Sequence, residues 1–409
     1  MLAILAAIVL IYGTVAGRLE RTPLSGALVF MGIGLLLGPV GLDLLKLSVE
    51  TGELRLLAEL TLALVLFVEA ADADLTVLRR SFRIPTRLLA IGLPLTIALG
   101  FVLGIPIFRD LTLLEVALLA TMLAPTDAAL GKAVATNPNV PPNVREGLKV
   151  EGGLNDGICV PVLFAFLALA VGSASSEDST IGLALGLFAR EIGIGAVVGI
   201  GLAIAACKML GPLARRGGWI GSTWKPVLVP ALALLCFATA MALHGSGLIA
   251  AFVGGITVAL MRPENKHEWL HAAESTGDAL SLLTWVVFGA AVAGQALPQF
   301  GWQPVVYAVL SLTVIRMLPM FLALTGLPLG TDSKLFVGWF GPRGLVSIVF
   351  VIIVLDAGLP GGDSLAMTVV CTVILSILAH GLSAVPLARL YGARIKKDAA
   401  VEPTPDGQS

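Results

Sequence analysis

The sequence predicts an all-α integral membrane protein of about 13 transmembrane helices, built from inverted repeats that each contain one broken helix. Three observations carry that expectation. Of 409 residues, 57% are hydrophobic and 13% charged, with a mean hydropathy of +0.96, whereas a soluble domain carries about 25% charged residues. The apolar runs are long enough to span a hydrocarbon core of ~30 Å, which takes about 20 helical residues. Two of the runs are interrupted by proline, glycine and a charge at positions 216 residues apart. The net charge of −1 points to no nucleic-acid partner, because the few charges sit in short clusters between apolar runs.

The runs lie at residues 2–17, 23–41, 53–71, 86–107, 111–135, 147–172, 181–209, 225–243, 246–261, 275–296, 304–325, 335–356 and 364–390. The first is read as a membrane helix rather than a signal peptide, because Arg18 and Arg21 follow the apolar stretch instead of preceding it. Basic residues sort between alternate loops. With the N-terminus outside, inner loops and helix ends hold clusters such as Arg79, Arg80, Arg83 and Arg87, or Lys208, Arg215 and Arg216. The outer side holds Lys46, Arg55, Arg109 and Arg190. The positive-inside rule then places the C-terminus in the cytoplasm, and the chain is expected to be a multi-pass protein of the cell's inner (plasma) membrane. The polar tail at residues 396–409, with Pro403 and Pro405, is expected to be disordered.

The fifth run is broken at Pro125-Thr126-Asp127 and the twelfth at Gly341-Pro342-Arg343-Gly344. Proline removes a backbone donor and clashes with the preceding turn, and glycine loosens the backbone further. Unwound backbone at membrane depth is tolerated only inside protein or beside a water-filled cavity. The 216-residue offset carries runs 4–6 onto runs 11–13, seven spans later, so the second triplet enters from the opposite side. Inverted repeats with paired broken helices point to the binding site of a secondary transporter.

Six ionisable residues of the runs matter most: Glu69, Asp127, Glu151, Asp156, Arg316 and Arg343. A charge at the bilayer centre costs roughly 2.5–3.5 kcal/mol even on lenient scales, so each must be paired, neutralised or functional. At the breaks, Asp127 can neutralise exposed helix N-termini and Arg343 exposed C-termini; direct contact with a substrate is the alternative for both. Glu151 and Asn155 are i,i+4 neighbours on one helix face, and Glu151 has Arg316 as a plausible partner. Asp156 is turned about 100° from Asn155 and is left without an obvious permanent partner. A carboxylate so placed can take up a proton near neutral pH and also offers a hard oxygen ligand to a small cation. Glu69 is either a snorkelling interfacial residue or a cavity-lining acid.

His244, His267 and His271 near run ends, and His380 within the last run, lack metal-ligand spacing. Cys159, Cys207, Cys236 and Cys371 lie singly in apolar stretches and read as small buried hydrophobes. No cofactor and no catalytic residue is expected.

Taken in order, Pro125-Thr126-Asp127, Glu151-Gly-Gly-Leu-Asn155-Asp156-Gly157, Arg316 and Gly341-Pro342-Arg343-Gly344 resemble the monovalent cation:proton antiporter family, the NhaP-like sodium/proton exchangers. The resemblance covers essentially the whole membrane region, residues 1–395. It implies a homodimer and a six-helix core, about residues 86–172 and 304–390, in which the two broken helices cross. That core would move against a dimerisation scaffold at about 1–85 and 210–303, joined by a linker helix at 181–209. Carried over, Asp156 resembles the shared cation and proton ligand, and Thr126 the ligand of the unwound segment. Glu69 resembles an accessory acid, and Glu151, Asn155 and Arg316 the structural network; from their place at the breaks, Asp127 is counted with the cation/proton site and Arg343 with the network. Gly152 departs from members that place a serine there. Sodium is the first expectation for the cation, then potassium, with lithium possible. A symporter of a small organic anion on a related inverted-repeat fold is the alternative. Intramembrane protease motifs fail, since Ser275-Thr276-Gly277-Asp278 and His244-Gly245-Ser246-Gly247 each lack the first glycine of GxGD and GxSG. A channel would show a selectivity-filter signature, and none is visible.

Overall fold

The computed structural model describes residues 2–19, 25–45, 52–73, 83–127, 130–131, 134, 137–174, 178–215, 224–261 and 266–401. Among the described residues the regular secondary structure is helical, without strands. The first helices are α1 (Leu2–Leu19), α2 (Gly26–Leu37), α3 (Gly52–Asp72), α4 (Arg83–Ile107) and α5 (Leu113–Met122). Then come α6 (Pro142–Ala174), α7 (Asp178–Arg215), α8 (Lys225–Ala242), α9 (Gly247–Met261) and α10 (Lys266–Val287). The last four are α11 (Trp302–Ala323), α12 (Thr331–Trp339), α13 (Leu345–Asp356) and α14 (Gly362–Val401). Each of the thirteen apolar runs coincides with one helix, except that the twelfth is the pair α12 and α13, and the fifth is α5 followed by a break. The last helix runs on to Val401, through the first six residues of the stretch read as a disordered tail; hydropathy falls there, but nothing breaks the helical period before Pro403. Arg21, Lys46, Arg79, Arg80 and Arg216, and the tail from Glu402, lie outside the described residues.

Two sets of helices pack mainly among themselves. In one, α3 lies against α9 and α10, α9 against α7 and α8, and α2 against α10. In the other, α4 packs on α5 and α11, α6 on α5, and α14 on α11 and α13. Lipid gives helices no hydrophobic reason to associate, so close van der Waals packing at small residues must do it. At the α2–α10 contact, a Cβ on Gly34 would strike the backbone of Val286, Gly289 and Ala290. There α10 continues through a π-turn, Phe288–Ala293.

The two breaks meet at the centre of the second set. The Asp127 amide donates to the Pro342 carbonyl (2.8 Å), and the Ser347 hydroxyl to the Met122 carbonyl (2.8 Å). Glycine is required at Gly344 because the Asp127 carboxylate occupies the place of a Cβ, and at Gly341 because the Arg316 guanidinium does. Glu115, buried at the start of α5, closes a capping box with Thr112 and accepts the Gly361 amide (2.7 Å), tying that end to the turn before α14.

Candidate functional site

Each half-helix leaves backbone groups without intrahelical partners, and the charges at the breaks meet them. Asp127 accepts the Leu345 amide at the start of α13 on Oδ2 (3.1 Å) and the Leu130 amide on Oδ1 (3.0 Å). Arg343 Nη1 donates to the Ala124 and Pro125 carbonyls just past the end of α5 (2.8 and 3.0 Å). The Arg343 amide donates to Ser376 Oγ (2.7 Å). His380, buried on α14, sets Nε2 against the Trp339 carbonyl at the end of α12 (2.9 Å).

One turn of α6 builds the neighbouring network. Glu151 takes Arg316 through both oxygens (2.9 and 3.0 Å) and Asn155 Nδ2 on Oε1 (3.1 Å). The carboxylate orients the amide: its NH2 must face Glu151, and the same nitrogen donates to Thr126 Oγ1 (2.5 Å). The break in the fifth run is thereby tied to α6. Arg316 reaches this depth on α11, whose helix is interrupted at Thr313 (φ −112°, ψ −94°), one turn before it.

Asp156 is 2% exposed, and its Oδ1 accepts no hydrogen bond among the described residues. Glu69 Oε2 is likewise buried and unmatched. Both acids line a cavity of about 270 Å³ between the two sets of helices. Close approach of α3 and α6 makes this possible: a Cβ on Gly153 would lie 3.3 Å from the Glu69 carbonyl. Thr126, Asp127, Glu151 and Gly152 also line the cavity; Asn155, Arg316 and Arg343 stand behind it.

The cavity includes acids the sequence reading passed over. Asp72 lies on α3, and Glu274, Asp278 and Ser281 form one face of α10. The i,i+4 spacing of Glu274 and Asp278, continued by Ser281 and Trp285, was a readable signal of one polar helix face entering an apolar run. Lys149 on α6 lines the same cavity and pairs with Asp72, Nζ to Oδ2 at 2.5 Å. Cys159, Cys236 and Cys371 are buried thiols and Cys207 is half-buried. His244 and His271 are exposed, and the His267 side chain lies outside the described features.

The profile of the transmembrane sodium/hydrogen exchanger family matches residues 4–390. The chain is 25% identical over 407 residues to the K(+)/H(+) antiporter NhaP2 of Shewanella oneidensis, covering 95% of this chain and 66% of that protein. It is 24% identical over 391 residues to the K(+)/H(+) antiporter NhaP of Alkalimonas amylolytica, covering 92% and 64%. This chain thus spans just under two thirds of the length of these relatives. Its fold is similar to the sodium proton antiporter MjNhaP1 from Methanocaldococcus jannaschii, with a TM-score of 0.75 at 19% identity over 95% of this chain and 98% of that one.

Proposed function

The chain belongs to the transmembrane sodium/hydrogen exchanger family, and from that premise we propose that it is a secondary antiporter exchanging a monovalent cation for a proton at Asp156. One observation carries the reading. Asp127 and Glu151 have both carboxylate oxygens hydrogen-bonded, whereas Asp156 and Glu69 each keep one buried oxygen without a partner among the described residues, at the cavity wall. Asp156 binds either a proton or a dehydrated cation, and only the neutralised site crosses the barrier, because a bare charge in transit is expensive. Thr126 and Glu69 complete the oxygen set around the cation. The helices carrying the two breaks form the moving core, α1–α3 and α8–α10 the scaffold and dimer contact, and α7 the link between them. The chain works in the plasma membrane with its N-terminus outside. Sodium and potassium are both candidates, each named for one of the similar proteins.

The test is cation-driven proton movement in proteoliposomes, with sodium, potassium and lithium compared. Asp156→Asn keeps the shape of the side chain but cannot cycle a proton and is a poorer cation ligand. It is expected to insert and fold normally while exchange falls to background. Substantial cation-dependent proton movement in this variant would sink the assignment of Asp156 as the shared site.

A further inference from the structure

One cationic side chain enters the acidic cavity. Among the described residues, Lys149 is the basic residue lining it, and its ammonium meets the Asp72 carboxylate. Helical period explains the placement. Lys149 precedes Asp156 by two turns of α6, and Asp72 follows Glu69 by about one turn of α3. Two rungs therefore stand between the same pair of helices: Glu69 with Asp156 inside, Asp72 with Lys149 toward the mouth. The outer rung is wet, with Lys149 62% and Asp72 28% exposed. A pair that exposed does little to hold helices together, so its charge matters more than its bond.

We infer that Lys149 is a tethered counter-ion of the transport cavity, a fixed monovalent cation that sets the apparent affinity for the transported one. The inference rests on the cation/proton antiport reading above. The ammonium carries the substrate's charge and sits on the substrate's path. It offsets the negative potential that Glu69, Asp72, Asp156, Glu274 and Asp278 create together, and so lowers the cation concentration near the site. Its flexible four-carbon stem also lets it follow whichever carboxylate is available.

The full-length protein in proteoliposomes decides this through KM for sodium and potassium, at low and high ionic strength set with choline chloride. Lys149→Gln is expected to lower KM by about threefold at low ionic strength, the scale of one charge acting across several ångström of wet cavity. The difference should shrink at high ionic strength. Asp72→Asn is expected to raise KM by a similar factor. The double variant, with the net cavity charge restored, should return near the wild-type value, and Lys149→Arg should match wild type. A purely structural ion pair would shift both single variants the same way and lower Tm in each. That pattern, or a KM unchanged in every variant, overturns the inference. Absence of cation-dependent proton movement in the wild-type protein overturns the antiport reading instead.

Discussion

Glu151 and Arg316 are each about 1% exposed, and their two hydrogen bonds join helices 165 residues apart in sequence. Removing one partner of such a pair leaves an uncompensated buried charge, at a cost of about 3–5 kcal/mol, whereas removing both is far milder. Glu151→Gln and Arg316→Met are therefore expected each to lower thermal stability sharply, and the double variant less than the sum. A thermal-shift double-mutant cycle checks this; additive effects would show that the two do not stabilise one another. Asn155 depends on the same pair, since Glu151 orients the amide that holds Thr126. At this scale the i,i+4 relation of Glu151 and Asn155 was legible, because helical period is local. The bond from Asn155 to Thr126 was not, because it depends on how an unwound segment lies against α6.

The broken elements cap one another crosswise. Asp127 in the first break meets the start of α13, and Arg343 in the second meets the carbonyls beyond α5. Hydrogen bonds to charged groups contribute about 1.5–3 kcal/mol each, and an orphaned carbonyl adds its own penalty. Arg343→Met is expected to cost about 3 kcal/mol or more, with transport rate falling alongside Tm and the cation KM of any residual activity unchanged. Asp127→Asn, which keeps one acceptor, should be milder than Asp127→Ala. Wild-type Tm combined with a raised cation KM in Asp127→Asn would instead place that carboxylate on the ion itself. The breaks were visible from Pro125, Gly341 and Pro342 alone, since these residues disrupt a helix wherever they stand. Which end each charge caps required the crossing.

Across the whole molecule, the cavity lies where α3 and α10 of one set of helices face α6 and the breaks of the other. If one carboxylate alternates between two monovalent loads, both loaded states carry the same charge and exchange is electroneutral. Glu151 is tied to Arg316, while Glu69 and Asp127 face the same cavity and are the groups that could change the count. Moving one net charge would couple transport to voltage by about 2.3 kcal/mol per 100 mV. With a potassium diffusion potential clamped by valinomycin and sodium as substrate, the initial rate of proton movement is expected to be insensitive to voltage. A steep, directional dependence would mean that a second carboxylate titrates in the cycle.

The sequence by itself determined the membrane class, the thirteen apolar runs, the two breaks and six of the charges that fall inside the runs. Hydropathy, helical period and helix-breaking residues act over one or two turns, so a linear reading can recover them. Only the tertiary structure decided which of those charges are satisfied. A carboxylate near the end of an apolar run, such as Glu69 or Asp72, looks interfacial until the rotation of its helix and the identity of its neighbours are known. Glu274 and Asp278 gain their meaning from α3 and α6, more than a hundred residues earlier in the chain. Partnership between buried charges is a property of packing, and packing joins residues that the linear chain keeps far apart.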